Sequence, residues 1–143
     1  MVPVNTCQIR VGRLLEVDIA AGFRTVHDVD DMIAKSGALF PTLKHKRQAI
    51  VVADWRACKL FTPEVSKRVL RMLVSVNPHV ERSAILHLAD QSPTILQVFG
   101  LARESQLTDR QGFTHAAPLA AWLSEVLEPS ERSRLRAFLG KAP

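Results

Sequence analysis

Near the start of the chain, Gln8-Ile9-Arg10-Val11 and Leu15-Glu16-Val17-Asp18-Ile19 alternate polar and apolar side chains. That is the period of a strand with one face toward a core. Gly12-Arg13 lies between them and suits a turn, so the two stretches predict an antiparallel hairpin near a sheet edge. On this pattern Arg10, Glu16 and Asp18 face outward or meet a partner. From Thr25 the period becomes helical. Val26, Val29, Met32 and Ile33 form an apolar stripe, Thr25 serves as cap, and Asp28, Asp30 and Asp31 crowd the positive end of the helix dipole. Gly37 is expected to end this helix, with Leu39-Phe40-Pro41 opening a loop.

Ala49-Ile50-Val51-Val52-Ala53 is a short, continuous apolar run rich in β-branched residues, the pattern of a strand buried on both faces. Thr62-Pro63 then opens a helix with Thr62 as cap. Val65, Val69, Met72, Leu73 and Val76 occupy one side of it, Lys67, Arg68 and Arg71 the other, and Asn77-Pro78 closes it. The pair recurs: Ser83 to Ala89 reads as a second buried strand, and Ser92-Pro93 starts a helix running to about Glu104. A polar connection from Thr108 to Gly112 precedes a short last strand at Phe113-Thr114. Ala117-Pro118 begins a helix carrying Leu119, Trp122, Leu123 and Val126, and Glu128-Pro129 begins a final basic helix with Leu135, Phe138 and Leu139.

The order β-β-α-β-α-β-α-β-α-α predicts an α/β fold: a mixed β-sheet with an opening hairpin and parallel inner strands, helices packed on it, and an extra C-terminal helix. No interior linker, low-complexity tract or fixed-period repeat divides the 143 residues. A single domain over 1–143 is expected, with a core of about 8–127 and a helical extension over 128–143.

Composition narrows the classes. An apolar fraction of 47% with 23% charged residues excludes wholesale disorder. No apolar run approaches the ~18–20 residues of a membrane span, and Met1 to Asn5 carries no signal-peptide pattern. Cys7 and Cys58, the two cysteines, exclude a disulfide scaffold and a four-thiolate zinc site, so a reduced cytoplasmic setting is the expectation. The 19 Lys and Arg against 14 Asp and Glu leave a surplus of +5, which admits a polyanionic partner until the charges are located. Lys44, Lys46 and Arg47 precede a strand, Lys67, Arg68 and Arg71 share a helix face, and Arg132, Arg134 and Arg136 lie on the last helix. These are three separate elements without interleaved aromatic rings, which favours a solvated surface over a nucleic-acid platform. Arg132 and Arg136 are placed to pair with Glu128 and Glu131.

In open α/β sheets ligands gather beyond the carboxyl ends of the strands, here at Asp54, Trp55 and Arg56 and at Asp90, Gln91 and Ser92. One reading is structural: Asp54 and Arg56 pair or are solvated, and Trp55 covers the core. Another is a small-ligand site or enzyme using Asp54, Asp90 and Cys58, the last with Arg56 and Lys59 nearby to lower a thiol pKa. A nucleophile needs a positioned base, and His27, His45, His79, His87 and His115 are scattered, His87 within a buried strand. No two histidines stand four apart, no nucleotide-loop or nucleophile-elbow pattern occurs, and the six glycines do not cluster. No catalytic residue, metal ligand or cofactor is therefore assigned. A third reading is weak binding of lipid or nucleic acid through the basic helices. The apolar side of the last helix must be buried on its own domain, on a second copy as a homo-oligomer, or on another protein.

The element order, and the Asp54 to Thr62 loop between a buried strand and a capped helix, resemble STAS domains over most of residues 8 to 127. These are the anti-sigma-factor antagonist-like proteins, related to the tail domains of sulfate transporters. The run Ala53-Asp54-Trp55-Arg56 followed by Thr62-Pro63-Glu64-Val65 is similar to a divergent bacterial group of small stand-alone members. Asn77-Pro78, Glu81-Arg82-Ser83-Ala84, Glu131-Arg132 and Leu135-Arg136 fit the same group. The resemblance implies a non-enzymatic regulatory module that binds a kinase-like protein, a GTPase or a sigma-factor regulator. In that family a Ser or Thr at the start of the helix after an inner strand is phosphorylated. The corresponding region is Asp54 to Ser66, where Asp54-Trp55-Arg56-Ala57 replaces the family's Asp-Ser-Ser-Gly signature and Thr62 and Ser66 are the hydroxyls. The implied contact surface is Asp54, Trp55, Arg56, Lys59, Phe61 and Thr62, with Arg56 and Lys59 supplying charge and Trp55 or Phe61 an apolar anchor.

Overall fold

The computed structural model describes residues 2–89, 92–104 and 109–141, and the backbone alone at 46, 92, 94–96, 98 and 99. The alternating stretches pair antiparallel as β1 (Thr6–Ile9) and β2 (Leu14–Asp18). Strands β3 (Ala49–Asp54), β4 (Val80–Leu86) and β5 (Arg110–Phe113) then add in parallel, so the sheet has the order β1-β2-β3-β4-β5. The expected mixed sheet is the one observed. β4 starts earlier and ends sooner than its apolar run suggests, and β5 begins within the segment read as a polar connection. That shift follows from pairing: Arg110 and Gln111 align with Ser83 and Ala84, so backbone hydrogen bonding overrides their polarity.

Helices α1 (Val26–Leu39), α2 (Pro63–Val76) and α3 (Ser92–Glu104) connect successive parallel strands. Strand order equals chain order, so crossovers of one hand place all three on the same face. Leu15, Val17, Val51, Ala53 and Ile85 point into that layer and meet Val29 and Met32 of α1 and Val65, Val69, Met72 and Leu73 of α2. Thr25 caps α1 by accepting the Asp28 backbone N–H, and Thr62 caps α2 through the Val65 N–H. Gly37 does not end α1. The helix runs through it to Leu39, and the Phe40 N–H reaches the Ser36 carbonyl before a 3-10 turn over Phe40–Thr42. Gly12 and Gly22, not Gly37, hold the positive φ that a glycine stop requires.

The opposite face is covered by α4 (Ala116–Ser124) and α5 (Pro129–Leu139). Leu14, Ile50, Val52, Ala84 and Leu86 meet Leu119, Leu123, Leu127, Leu135 and Phe138 in a second core. The last helix is thus part of the domain's second layer rather than an extension, and its apolar side is used on its own sheet. Glu16, on the same strand face as Leu14, is 2% exposed under α5 instead of facing solvent. Arg134 holds it with two parallel bonds of 2.7 and 3.0 Å.

One turn earlier, Glu131 accepts the Arg13 N–H at 2.8 Å and the Glu128 N–H at 2.8 Å, the second closing a capping box. Gly12 has φ 57°, and a Cβ there would overlap the Glu131 carboxylate, so the hairpin link needs glycine for two reasons. Arg132 and Arg136 do not pair with Glu128 and Glu131. They bond to the Ser124 carbonyl and the Ser133 hydroxyl, because both glutamates are engaged at the helix start. Among the described residues, no helix is long and apolar enough to cross a membrane.

Arg134→Met strands a buried carboxylate and is expected to lower the free energy of urea unfolding by about 3–5 kcal/mol. Adding Glu16→Leu should restore most of that loss; equal losses in the single and double variants would show the two are uncoupled. A chain ending at Leu127 uncovers Leu14, Ile50 and Val52 and is expected to lose its cooperative urea transition. An unchanged midpoint would show α5 to be dispensable.

Candidate functional site

The carboxyl ends of β2 and β3 bring Asp18 and Asp54 side by side in register on the α5 face. Asp54 is buried, and its oxygens are filled from within the chain. Oδ1 accepts the Arg56 N–H and Nε, each at 3.0 Å, and Oδ2 accepts Arg56 Nη2 at 2.8 Å and Lys141 Nζ at 3.2 Å. Lys141, just beyond α5, also lies 3.6 Å from the centre of the Phe138 ring. Burial by itself would raise the Asp54 pKa, but the hydrogen bonds from Arg56 and the charges of Lys141 and Arg56 outweigh it and hold the carboxyl below its ordinary value. Asp18 moves the other way: burial raises its pKa, Asp54 adds to the rise, and Lys141 and Arg56 only partly offset it. Four acceptor positions already used leave Asp54 little to offer a substrate. Asp90 lies outside the described residues.

The loop from Trp55 to Thr62 is braced on both sides. Cys58 N–H donates to the Trp55 carbonyl at 2.9 Å, and Gln97 of α3 accepts the Phe61 N–H at 3.1 Å and donates to the Phe61 carbonyl at 3.4 Å. Gly22, at φ 75°, approaches Ala57 so closely that a Cβ would sit 3.2 Å from the Ala57 oxygen. Asn5 fixes this second loop by accepting the Ala21 N–H and donating to the Gly22 carbonyl.

Trp55 and Phe61 turn inward. They and Phe23 form an aromatic cluster with ring centres 5.6 to 6.2 Å apart, and all three are buried. Neither aromatic ring is displayed as a surface anchor, because the apolar layer between α1, α2 and the sheet consumes both. The large exposed apolar side chain of the loop is Leu60, at 63%. Leu60 and Phe61 are adjacent apolar residues with no local signal to tell them apart, and the path of the loop decides which points outward. Lys59 beside it is exposed, Arg56 is half-buried against Asp54, and Thr62 and Ser66 lie on the first turn and a half of α2.

Cys58 is fully buried, and burial pushes its thiol up to about 12, with the Phe23 hydrogen bond lowering it only in part. Nearby Arg56 and Lys59 do not activate it, since thiolate chemistry needs the opposite shift. Burial likewise pushes Cys7 up to about 11. His87 follows β4 rather than lying within it and is buried, its Nδ1 3.4 Å from the Leu88 carbonyl. Among the described residues, no group of three His, Cys, Asp or Glu side chains could hold a metal ion.

Beyond Thr62, the starts of α1 and α2 flank a shallow groove of about 620 Å³ lined by Arg24, Thr25, Thr62, Lys67, Arg68 and Arg71, with Glu64 the acidic side chain on its wall. Arg24 pairs with Asp28 and Arg68 with Asp30. Lys59, Lys67 and Arg71 form no ion pair among the described residues. The site is therefore a braced edge with one large exposed apolar residue beside three cations that form no ion pair among the described residues. Arg134 of α5 does not extend it, because it is committed to Glu16. No family model matches the chain, and no curated protein or solved structure matches it.

A folded-state pKa below the unfolded value gives stability that is complete above about pH 4 and is lost as pH falls through the folded value; Asp54 is such a group. A raised folded-state pKa gives stability present at low pH and lost as pH rises through the folded value; Asp18 is such a group. In urea titrations between about pH 3 and pH 7, Asp54→Asn should lower the midpoint at neutral pH and flatten the acid limb, while Asp18→Asn should raise the neutral midpoint. Two variants moving in the same direction would contradict this arrangement.

Proposed function

We propose that this chain is a non-catalytic regulatory module of STAS-like type, acting in the cytoplasm, that binds a protein partner along the rim from Asp54 to Ser66. The observation that carries this reading is Leu60, an exposed leucine on a loop held at both ends by Arg56–Asp54 and Phe61–Gln97. An ordered loop loses little conformational entropy on binding, so an apolar side chain displayed on one is placed to act as an anchor. Leu60 takes the anchoring role assigned above to Trp55 or Phe61, and those two rings set the loop's shape from beneath. Lys59, Lys67 and Arg71 select an acidic contact surface on the partner, whose class is a kinase-like protein, a GTPase or a sigma-factor regulator. The filled acceptors of Asp54 and the buried Cys58 support the non-catalytic part of the reading.

Thr62 is both the cap of α2 and a wall of the basic groove, so a phosphoryl group there would add negative charge next to the cations the partner needs. Ser66, one turn on, is the second candidate. Phosphorylation at Thr62 would weaken association with an acidic partner by neutralising the groove.

In affinity capture from the native host with the wild-type chain as bait, Lys59→Glu with Leu60→Ala should weaken retention of the specific partner by more than about tenfold. Thr62→Glu should weaken it in the same direction. Lys59→Glu with Leu60→Ala leaves the buried core and the helix caps untouched, so its melting temperature should match the wild type, whereas Thr62→Glu also removes the α2 cap and should cost about 1 kcal/mol of stability. A partner retained equally by the wild type and both variants would sink the proposal.

A further inference from the structure

At the opposite end of the sheet from the rim, the last turns of α1 and α2 stand apart and leave a groove of about 500 Å³. That volume is within the range of small-molecule sites, roughly 300–1,000 Å³. Its walls are largely apolar, from Ile33, Phe40 and Val76, while Arg47 and His79 stand among them as the basic side chains. His79 stacks on Phe40 with ring centres 4.8 Å apart and planes 12° from parallel, giving a flat wall. Behind Phe40 lies a void of about 60 Å³ that shares Ser36, Phe40 and Val76 with the groove and is backed by Met32 and Met72. Methionine-lined space of this kind accommodates an apolar guest by small side-chain movements.

Two features distinguish this groove from an ordinary surface depression. Arg47 is exposed, forms no ion pair among the described residues, and no carboxylate lines the groove. The hydroxyls of Ser36 and Ser75 are already bonded to the Met32 and Met72 carbonyls, so the Arg47 guanidinium and the edge of the His79 ring are the polar groups left to meet a ligand, and the guanidinium carries the fixed charge. Gly37 is the second feature. It lies inside α1 with no positive φ, and a Cβ there would meet nothing within 4 Å. Glycine weakens a helix relative to alanine, and neither backbone strain nor packing within the domain calls for it here. What its missing side chain does is widen the groove.

We propose that this groove binds a small amphipathic carboxylate: an apolar body lying over Gly37 against Ile33, Phe40 and Val76, with its carboxylate on the Arg47 guanidinium. The site is separate from the partner-binding rim and does not depend on it.

The probe is octanoate, titrated into the full chain by calorimetry and by amide NMR, with acetate and 1-octanol as controls. Octanoate is expected to bind saturably and to shift the amides of Ser36, Gly37, Val76 and His79, whereas acetate should not bind. Arg47→Gln should weaken octanoate roughly three- to tenfold and leave 1-octanol unchanged. Gly37→Ala should raise the melting temperature yet weaken octanoate, because the helix gains while the groove narrows. The proposal is overturned by absence of saturable binding at millimolar octanoate, by shifts confined to other surfaces, or by an octanoate affinity that neither substitution changes. Lys59→Glu with Leu60→Ala should leave octanoate binding intact, which keeps failure here distinguishable from failure at the rim.

Discussion

When strands follow one another across a sheet in chain order and every crossover has the same hand, all the connecting helices fall on one face. The other face of β2, β3 and β4 is left to segments outside the winding, and a half-bare parallel sheet of Ile, Val and Leu is not stable in water. The 26 residues from Ala116 to Lys141 meet that need here. Leu119, Leu123 and Leu135 become fully buried, each worth about 1.5–3 kcal/mol in transfer from water. The position of α5 is set by charge as much as by apolar contact: Glu131 holds the Gly12-Arg13 turn before β2, Arg134 holds Glu16 of β2, and Lys141 holds Asp54 at the end of the neighbouring β3. Each of these bonds has a buried or half-buried carboxylate at one end, where loss of the partner is costly.

The same constraint shapes the two ends of the sheet differently. At the carboxyl ends, the tail of α5 comes up against Asp54, so the rim loop, the inner strand and the last described turn of the chain share one ion-pair network. Trp55 and Phe61 are drawn under the loop to join Phe23, and the surface is left with Lys59, Leu60 and the cations of the α1–α2 groove. At the amino ends, α1 and α2 diverge past their last turns, and Phe40 with His79 closes the core there without filling the space between the helices. A rigid basic edge and an apolar cleft thus occupy opposite ends of one helical layer.

Much of the fold could be read from local pattern. The continuous apolar run at Ala49 to Ala53 is buried on both faces as its composition predicts, and Thr62-Pro63 starts α2 where a cap followed by proline should. Gly37 has the local context of a helix stop without being one, because a stop depends on φ and a glycine near an apolar stripe looks the same whether its φ is negative or positive. The candidate site was legible in position but not in orientation. Asp54, Arg56, Lys59 and Thr62 do gather at one strand end, whereas Leu60 rather than Phe61 is the exposed large apolar residue there and the contact of Lys141 with Asp54 had no local sign.

Neighbours a few residues apart set the strand and helix periods, the caps, the element order and hence a mixed sheet with parallel inner strands, and these are legible along the chain. The fate of Glu16 depends instead on long-range packing. Its alternating context is that of a solvent-facing residue, yet it is buried against Arg134, 118 positions away in the chain. Periodicity reports that a side chain lies on a particular face of a strand. Whether that face meets water or a helix from the far end of the chain is settled by how the whole sheet is covered.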